Sequence, residues 1–579
     1  MTRPARKPSF LHNWGLALVA LTALGLVAAI WGAAAAGGAI TGQHQVDGNP
    51  FGYLLQLALG QRQWPGTPAT LILIALAVLL IVVTVLLVMS GLRRHHRANT
   101  AVGQIDRTAR QMRRANDLAG LAPAGVAASA RRLRPTSQID PADPAQHGRL
   151  IGNTVVDNVE LRVDWESLEV DIWGPRRGKT TTLTIPRVVE APGPVLATSN
   201  KRDLVDATRG PRGKRGRVWT FDPQQVANEP AGWWYNPLSR ISGINDAMIL
   251  TSHFAMGTRN PDAKTDAYFD NAAEGLLGNY LLAAALGDKS LLDVYGWISN
   301  SRDRGAYNLL VQAGQEQCAR DVNSVLEAPE KQRSGVFDTA KTLLQCLRDP
   351  GVAQWVTPPT DSRPEFHPEH FVESTDTLYL LSIEGAGSSA PLVAALTEHV
   401  CHAAVQAGSR SPGGRLDPPL YAALDEAANV CKWRELPNLY SHFGSRGVVV
   451  DTILQSWAQG EEVWGRGGME KLWGAANVRT YGGGAADPQF LRRLSDMVGP
   501  QDWEKWSFSI DSSGRRSHSA QGHRYDRLGP AELFEMPPGR VLVLAGAATI
   551  VRSIPWMTGP HAGEIELSLA TYDPGARTP

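Results

Sequence analysis

The stretch Ile172-Trp173-Gly174-Pro175-Arg176-Arg177-Gly178-Lys179-Thr180-Thr181 constrains this chain more than any other. It follows Leu168-Glu169-Val170-Asp171-Ile172, whose alternation reads as a strand, and it precedes Thr182-Leu183-Thr184-Ile185, which can start a helix. Strand, glycine-bracketed loop, Lys-Thr and helix is the order of a phosphate-binding loop. Such a loop turns sharply and points successive backbone N–H groups at phosphate oxygens, while the helix N-terminus adds its positive end. On this reading Gly174 and Gly178 bracket the loop and Lys179 reaches the β- and γ-phosphates. The Thr180 hydroxyl holds Mg²⁺, and Thr181 completes the nucleotide-binding set. The stretch departs from the usual pattern: three residues, not four, separate the glycines, since Trp173 occupies the place of the first glycine, and Pro175 removes an N–H. The competing reading is a strand-to-helix turn with a chance Gly-Lys-Thr.

A second stretch favours the nucleotide site. Leu420-Tyr421-Ala422-Ala423-Leu424 is an apolar strand that ends in Asp425-Glu426. Opposite a phosphate loop, Asp425 is placed to bind the Mg²⁺ shell and Glu426 to polarise an attacking water. A third strand, Gly447 to Leu454, ends in Gln455-Ser456, so Gln455 can sense the γ-phosphate or hold that water; an ordinary strand-end polar residue is the alternative. Arg446, just before this strand, either reaches a neighbouring subunit's nucleotide or is a surface arginine.

Two uncharged apolar runs, Trp14 to Ala36 and Ala69 to Ser90, each exceed the roughly 20 residues that span a bilayer core. Arg3, Arg6 and Lys7 precede the first, Arg93, Arg94 and Arg97 follow the second, and the loop between carries only Asp47 and Arg62 as charges. The positive-inside rule puts both chain ends in the cytoplasm and the loop outside, as in a multi-pass membrane protein. A cleaved signal peptide ending at Ala34-Ala35-Ala36 is the competing reading of the first run. The net charge of +1 excludes a globally basic nucleic-acid binder, so any basic surface is local. Cys318, Cys346, Cys401 and Cys431 lack metal-ligand spacing and read as reduced, buried thiols.

From Leu92 to Gln146 the composition turns to Arg, Ala, Pro and Gln, which reads as a basic helical stalk and a flexible linker, attracted to anionic lipid or contributing to DNA binding. Val155 to Val170 reads as a hairpin leading into the phosphate loop. Gly193 to Ser199 is a buried-type strand ending in Asn200-Lys201-Arg202-Asp203, which either face the ligand crevice of an α/β sheet or cap a helix. Between Asn245 and Pro350 strand patterns give way to apolar residues at helical spacing, as in Leu276, Leu277, Tyr280 and Leu281, which reads as an inserted all-α domain or as helices padding the sheet. Thr377 to Ser382 is a further strand, Val541 to Leu544 a late, edge-proximal one, and the tail from Gly559 carries no signal.

The combination resembles the coupling proteins of type IV secretion and conjugation, the TraG/TraD-like group. It rests on two N-terminal spans, Gly-Pro-Arg-Arg-Gly-Lys-Thr-Thr, Ser-Asn-Lys-Arg-Asp-Leu, Leu-Asp-Glu-Ala-Ala-Asn and Ile-Leu-Gln-Ser-Trp-Ala-Gln. The resemblance implies an α/β fold: a RecA-like P-loop NTPase domain with an inserted all-α domain and two N-terminal transmembrane helices. The implied division is a membrane anchor at 1–92, stalk and linker at 93–150, and the nucleotide-binding domain at 151–258 and 351–565. The insertion then occupies 259–350 and a tail 566–579. It also implies a membrane-anchored, ATP- and Mg²⁺-dependent homohexameric motor that passes single-stranded DNA and its bound relaxase to secretion-channel proteins. Gly174, Gly178, Lys179, Thr180, Thr181, Asp425, Glu426 and Gln455 match the family's nucleotide residues, and Arg446 its arginine-finger region. Two other classes stay open: an FtsK-like DNA translocase, which usually ends in a winged-helix reader not expected in this tail, and a non-hydrolysing membrane receptor for secreted protein cargo, favoured by the shortened loop.

Overall fold

The computed structural model describes residues 10–42, 48–258, 267–385, 387–510 and 516–577. Arg3, Arg6, Lys7 and Asp47, used above in the orientation argument, lie outside the described residues, as does position 259, where the insertion is expected to begin. The chain divides into two compact units, Met1–Arg107 and Thr108–Pro579.

The first unit is helical: Phe10–Thr41, Pro50–Ala58 and Thr67–Asn99. Two segments, Val19–Thr41 and Thr67–Ser90, are long and apolar enough to cross a membrane. The two long helices approach closely where small residues meet. A Cβ on Gly37 would lie 2.5 Å from the Ala69 Cα, and Ala33, Ala34 and Ala69 are fully buried. Such small-residue seams let helix backbones pack without a hydrophobic driving force.

The second unit is built on an 11-stranded sheet. Its strands in chain order are β1 (Arg149–Thr154), β2 (Glu160–Val163), β3 (Glu169–Ile172), β4 (Val195–Ser199), β5 (Val218–Phe221), β6 (Thr377–Leu381), β7 (Leu420–Leu424), β8 (Val448–Leu454) and β9 (Val478–Tyr481). A separate antiparallel ribbon pairs β10 (Pro500–Ile510) with β11 (Arg516–Asp526), and β12 (Arg540–Leu544) and β13 (Ala548–Arg552) return to the main sheet. The order across it is β2-β1-β13-β12-β9-β3-β8-β7-β4-β6-β5. From β9 to β5 every pairing is parallel, and from β9 outward to β2 every pairing is antiparallel. β4, β6, β7 and β8 are buried along their whole length, as parallel strands covered on both faces must be. Between β5 and β6 the chain is helical, with Ile244–Thr258, Ala267–Leu286, Leu291–Ser299, Gly305–Gln312, Glu316–Leu326 and Glu330–Leu343 as its longer members. Helix Ala267–Leu286 is the hub of this block, with Leu277, Tyr280, Leu281 and Leu282 fully buried.

Four expectations change. The hairpin falls on β1 and β2, residues 149–163, and β3 stands apart from it. The strand at Val541–Leu544 is not at an edge: β12 lies between β9 and β13, because β13, β1 and β2 extend the sheet beyond it. The tail contains helix Ala562–Tyr572, whose Ile565 is buried in the core and whose Ser568 hydroxyl donates to the Asp206 carbonyl. The stretch expected as a flexible linker is packed. Ala115, Leu118 and Leu121 cover Ile151, Leu161, Val163 and Val543, and the Thr136 and Ser137 backbone N–H groups donate to Asp417.

The alternation at Glu169-Val170-Asp171 does not mark a solvent face, since all of β3 is buried. Arg187, on helix Ile185–Glu190, places Nη1 3.0 Å from Glu169, 2.8 Å from Asp451 and 3.8 Å from Asp171. Arg149 pairs with the other oxygen of Asp451, and the Tyr421 hydroxyl donates to Asp451 at 2.8 Å. Burial pushes the Asp171 carboxyl well above its usual range, with Glu169 adding to the shift and Arg187 opposing it. Burial works against the charge of Arg187, but the surrounding carboxylates outweigh it and hold the guanidinium protonated. This network ties the strand before the phosphate loop to the helix after it.

Candidate nucleotide site

In a parallel sheet, ligands bind outside the carboxyl ends of the strands. β3, β8 and β7 are neighbours and end together, so Trp173–Thr180, Gln455 and Asp425-Glu426 meet at one edge. The loop is a tight turn. Arg176 has φ of 57° and Gly178 of 81°, so the backbone is left-handed twice within three residues. The following helix opens with a π-type turn over Thr180–Thr184. The Thr181 and Thr182 hydroxyls donate back to the Gly178 carbonyl at 2.9 and 2.8 Å, which fixes the loop to the first turn.

Five of the expected residues converge: Lys179 and Gln455 on Glu426, and Lys179 and Thr180 on Asp425. The Lys179 ammonium contacts Glu426 and stands 3.2 Å from Asp425 Oδ1. The Thr180 hydroxyl donates to Asp425 Oδ2 at 3.2 Å. Gln455 Nε2 spans both oxygens of Glu426 at 2.7 and 2.8 Å. The side chains of Lys179, Asp425 and Glu426 are all largely buried, at 12%, 4% and 8% exposure. Glu426 itself has φ of 56°, a left-handed conformation that costs a non-glycine residue on the order of 1–3 kcal/mol and aims its side chain at Lys179 and Gln455. The Thr198 hydroxyl at the end of β4 donates to the Asp425 carbonyl at 2.8 Å and holds this turn. Burial raises the Asp425 carboxyl above its ordinary value, Lys179 opposes that, and Glu426 adds to it.

The residues fit a hydrated divalent cation. Thr180 Oγ1 and Asp425 Oδ2 are 3.2 Å apart, close to the roughly 3 Å between adjacent ligands of an octahedral Mg²⁺ with bonds of about 2.0–2.1 Å. Two carboxylates also face a single ammonium, so the pocket carries excess negative charge that a cation must offset before a polyphosphate enters.

Other expected residues stay away. Arg446 is exposed at the start of β8, where its Nη1 donates to the Gly414 carbonyl at 3.2 Å. The seven residues of β8 put it about 23 Å from Gln455 at 3.3 Å per residue. Arg202 is held by Asp206 at 2.6 Å and by the Tyr572 carbonyl, outside the cluster. Asn200 caps no helix, because the helix that follows begins at Asp203 without a side-chain cap.

Sequence reasoning missed the loop's outer support. The Gly174 N–H donates to the Gly483 carbonyl at 2.9 Å, and Arg177 Nη1 donates to the Met536 carbonyl at 2.9 Å. The run Gly482-Gly483-Gly484 was the available signal, since a glycine cluster after a strand marks a close backbone approach.

Comparison with known proteins bears on the fold. Residues 419–538, which hold β7, β8 and the glycine run, match the family model described as the TraM recognition site of TraD and TraG. The bacterial conjugative coupling protein TrwBdeltaN70, in its unbound monoclinic form, is 17% identical over 70% of this chain and 88% of that one, with a TM-score of 0.51. Its trigonal form in complex with sulphate is 16% identical over 70% of this chain and 93% of that one, with a TM-score of 0.50. A TrwB complex with ADP and Mg²⁺ is 15% identical over 70% and 94% of the two chains, with a TM-score of 0.48. No curated protein matches the chain. The fold is α/β and RecA-like, with a large parallel sheet and two apolar N-terminal helices; in that fold, and in the sequence of residues 419–538, this chain is TraG/TraD-like.

Proposed function

We propose that this chain is a membrane-anchored P-loop ATPase of a conjugative type IV secretion system, which couples single-stranded DNA and its bound relaxase to the transfer channel. The observation that carries the proposal is the convergence of Lys179, Thr180, Asp425, Glu426 and Gln455 at adjoining strand ends. Lys179 binds β/γ-phosphate oxygens. Thr180 and Asp425 hold Mg²⁺, which when bound supplies the positive charge that the transferring phosphoryl group needs. Glu426 orients the attacking water and receives its proton, and Gln455 fixes the Glu426 carboxylate. Phosphate binding draws Lys179 away from Glu426 and leaves that carboxylate free to act as a base.

The two apolar helices serve as the anchor in the inner membrane, with the bulk of the chain in the cytoplasm. The assembly is a homohexamer, in which Arg446 reaches the nucleotide of a neighbouring subunit. The helical block between β5 and β6 recognises cargo, and a TraM-like partner docks on residues 419–538. The test is ATP hydrolysis by the full chain in lipid nanodiscs with and without single-stranded DNA. Stimulation by DNA that falls as salt rises supports the motor, because phosphate contacts release counterions. Nucleotide binding without any turnover would favour a non-hydrolysing receptor, the reading that the shortened loop suggests.

A further inference from the structure

The phosphate loop has Trp173 in the place of its usual first glycine, yet Trp173 is buried and fully engaged. Its backbone N–H donates to the Leu454 carbonyl at 3.0 Å and its indole N–H to the Thr480 hydroxyl at 2.8 Å. The Gly482 N–H donates to the Ile172 carbonyl at 3.3 Å and the Gly174 N–H to the Gly483 carbonyl at 2.9 Å. The ladder between β3 and β9 thus runs on into the loop. Space is absent on this side. A Cβ on Gly482 would lie 2.2 Å from the Trp173 ring, and one on Gly174 would lie 2.6 Å from the Gly484 carbonyl carbon. Gly483 and Gly484 have φ of 84° and 83°, open only to glycine without strain, and a Cβ on Gly484 would meet Arg177 Nε at 2.8 Å.

We propose that Trp173 and the Gly482–Gly484 turn are positioning residues for the phosphate loop: the turn is a template that sets the loop's shape from outside. This inference rests on reading the loop as a nucleotide site. The turn lies after β9, on the side of β3 opposite to β8 and the carboxylates, so it shapes the loop without touching Asp425 or Glu426. A loop held in its bound form loses little freedom when phosphate arrives, and an anchor displaced by about 1 Å can cost on the order of 10²-fold in a positioned site.

The test is a double-mutant cycle on the detergent-solubilised full chain, read as the Kd of a fluorescent ATP analogue with Mg²⁺ and as the urea midpoint of unfolding. Gly482 has no left-handed φ, and the three atoms nearest a Cβ there all belong to the Trp173 ring, so Gly482→Ala acts first on that ring. It should raise Kd about tenfold or more, and on a Trp173→Leu background the same change should alter Kd by less than about twofold, because the two residues act as one contact. An unchanged Kd with a lowered midpoint would mean that the turn is merely structural, and an equal penalty on both backgrounds would remove Trp173 from the role; either overturns the proposal. If Gly482→Ala does not fold, Trp173→Phe carries the test. Loss of the bond to Thr480 should raise Kd about two- to tenfold, and an unchanged Kd overturns the proposal. Lys179→Ala, run in parallel, separates the layers. If Lys179→Ala abolishes binding while Gly482→Ala leaves it intact, only this inference fails. If Lys179→Ala binds like wild type, the nucleotide-site reading falls and this inference with it.

Discussion

Arg187→Met should cost about 3–5 kcal/mol of stability, the range for removing one partner of a buried ion pair. Arg187 is fully buried, and its Nη1 lies 3.0 Å from Glu169 and 2.8 Å from Asp451, which are also fully buried, while its Nε donates to the Leu150 carbonyl at 2.8 Å. Methionine fills much of the volume, so the loss is electrostatic: Arg149 is left to balance Glu169, Asp171 and Asp451. The sign of the pH dependence follows. Asp171 already holds its proton to higher pH than usual through burial, then Glu169, with Arg187 opposing. Without Arg187 the folded protein retains more protons than the unfolded chain above the ordinary carboxylate range. A carboxylate whose folded pKa is raised destabilises progressively as pH rises towards that pKa, so the penalty of the variant shrinks on acidification. Each proton retained changes it by about 1.4 kcal/mol per pH unit. Urea unfolding of the solubilised chain, followed by tryptophan fluorescence at pH 5.5 and pH 8, reads both effects. A loss below about 1 kcal/mol, or a loss equal at both pH values, would refute the reasoning.

Glu426→Gln should retain nucleotide binding while hydrolysis slows by about 10²–10⁴-fold, measured in single turnover, as for the loss of a general base. Arg446→Ala should be nearly inactive alone. Mixed with Glu426→Gln after proven subunit exchange, it should regain part of the activity, because some interfaces then pair an intact Glu426 with an intact Arg446; no recovery removes Arg446 from a role across subunits. Affinity for single-stranded DNA should fall steeply between 50 and 200 mM salt, on the order of 10²–10³-fold for about five to seven phosphate contacts, with little sequence preference, measured by anisotropy.

Two of the three strands that build the site, β7 and β8, were legible as short apolar runs ending in polar residues, β3 was legible by its alternation, and β7 begins and ends where the run Leu420–Leu424 does. Asp425 and Glu426 were legible only beside the phosphate-loop stretch, because an Asp-Glu pair after a strand is by itself usually a solvated turn. The buried charges were not, since Glu169 and Asp171 have the alternation of a half-exposed strand and only the fold brings Arg187 and Arg149 to them. Trp173 read as a defect in the phosphate loop, because its partners Thr480 and Gly482 are some three hundred residues away. The position of β12 depended on β13, a strand whose Thr549 and Arg552 gave it no uniform apolar signature. Helix Ala562–Tyr572 lay hidden for a similar reason, as one small residue, Ser568, makes its close contact with Gly210.

The central claim is that Lys179, Thr180 and Asp425 bind the phosphates and metal of a nucleotide. Titration of a fluorescent ATP analogue into the full chain tests it most directly, with wild type, wild type plus chelator, and Lys179→Ala measured side by side. Wild type should bind saturably and lose binding when Mg²⁺ is removed, because two carboxylates face one ammonium in the pocket, and a folded Lys179→Ala chain should not bind. Equal binding by wild type and a folded Lys179→Ala chain would contradict it.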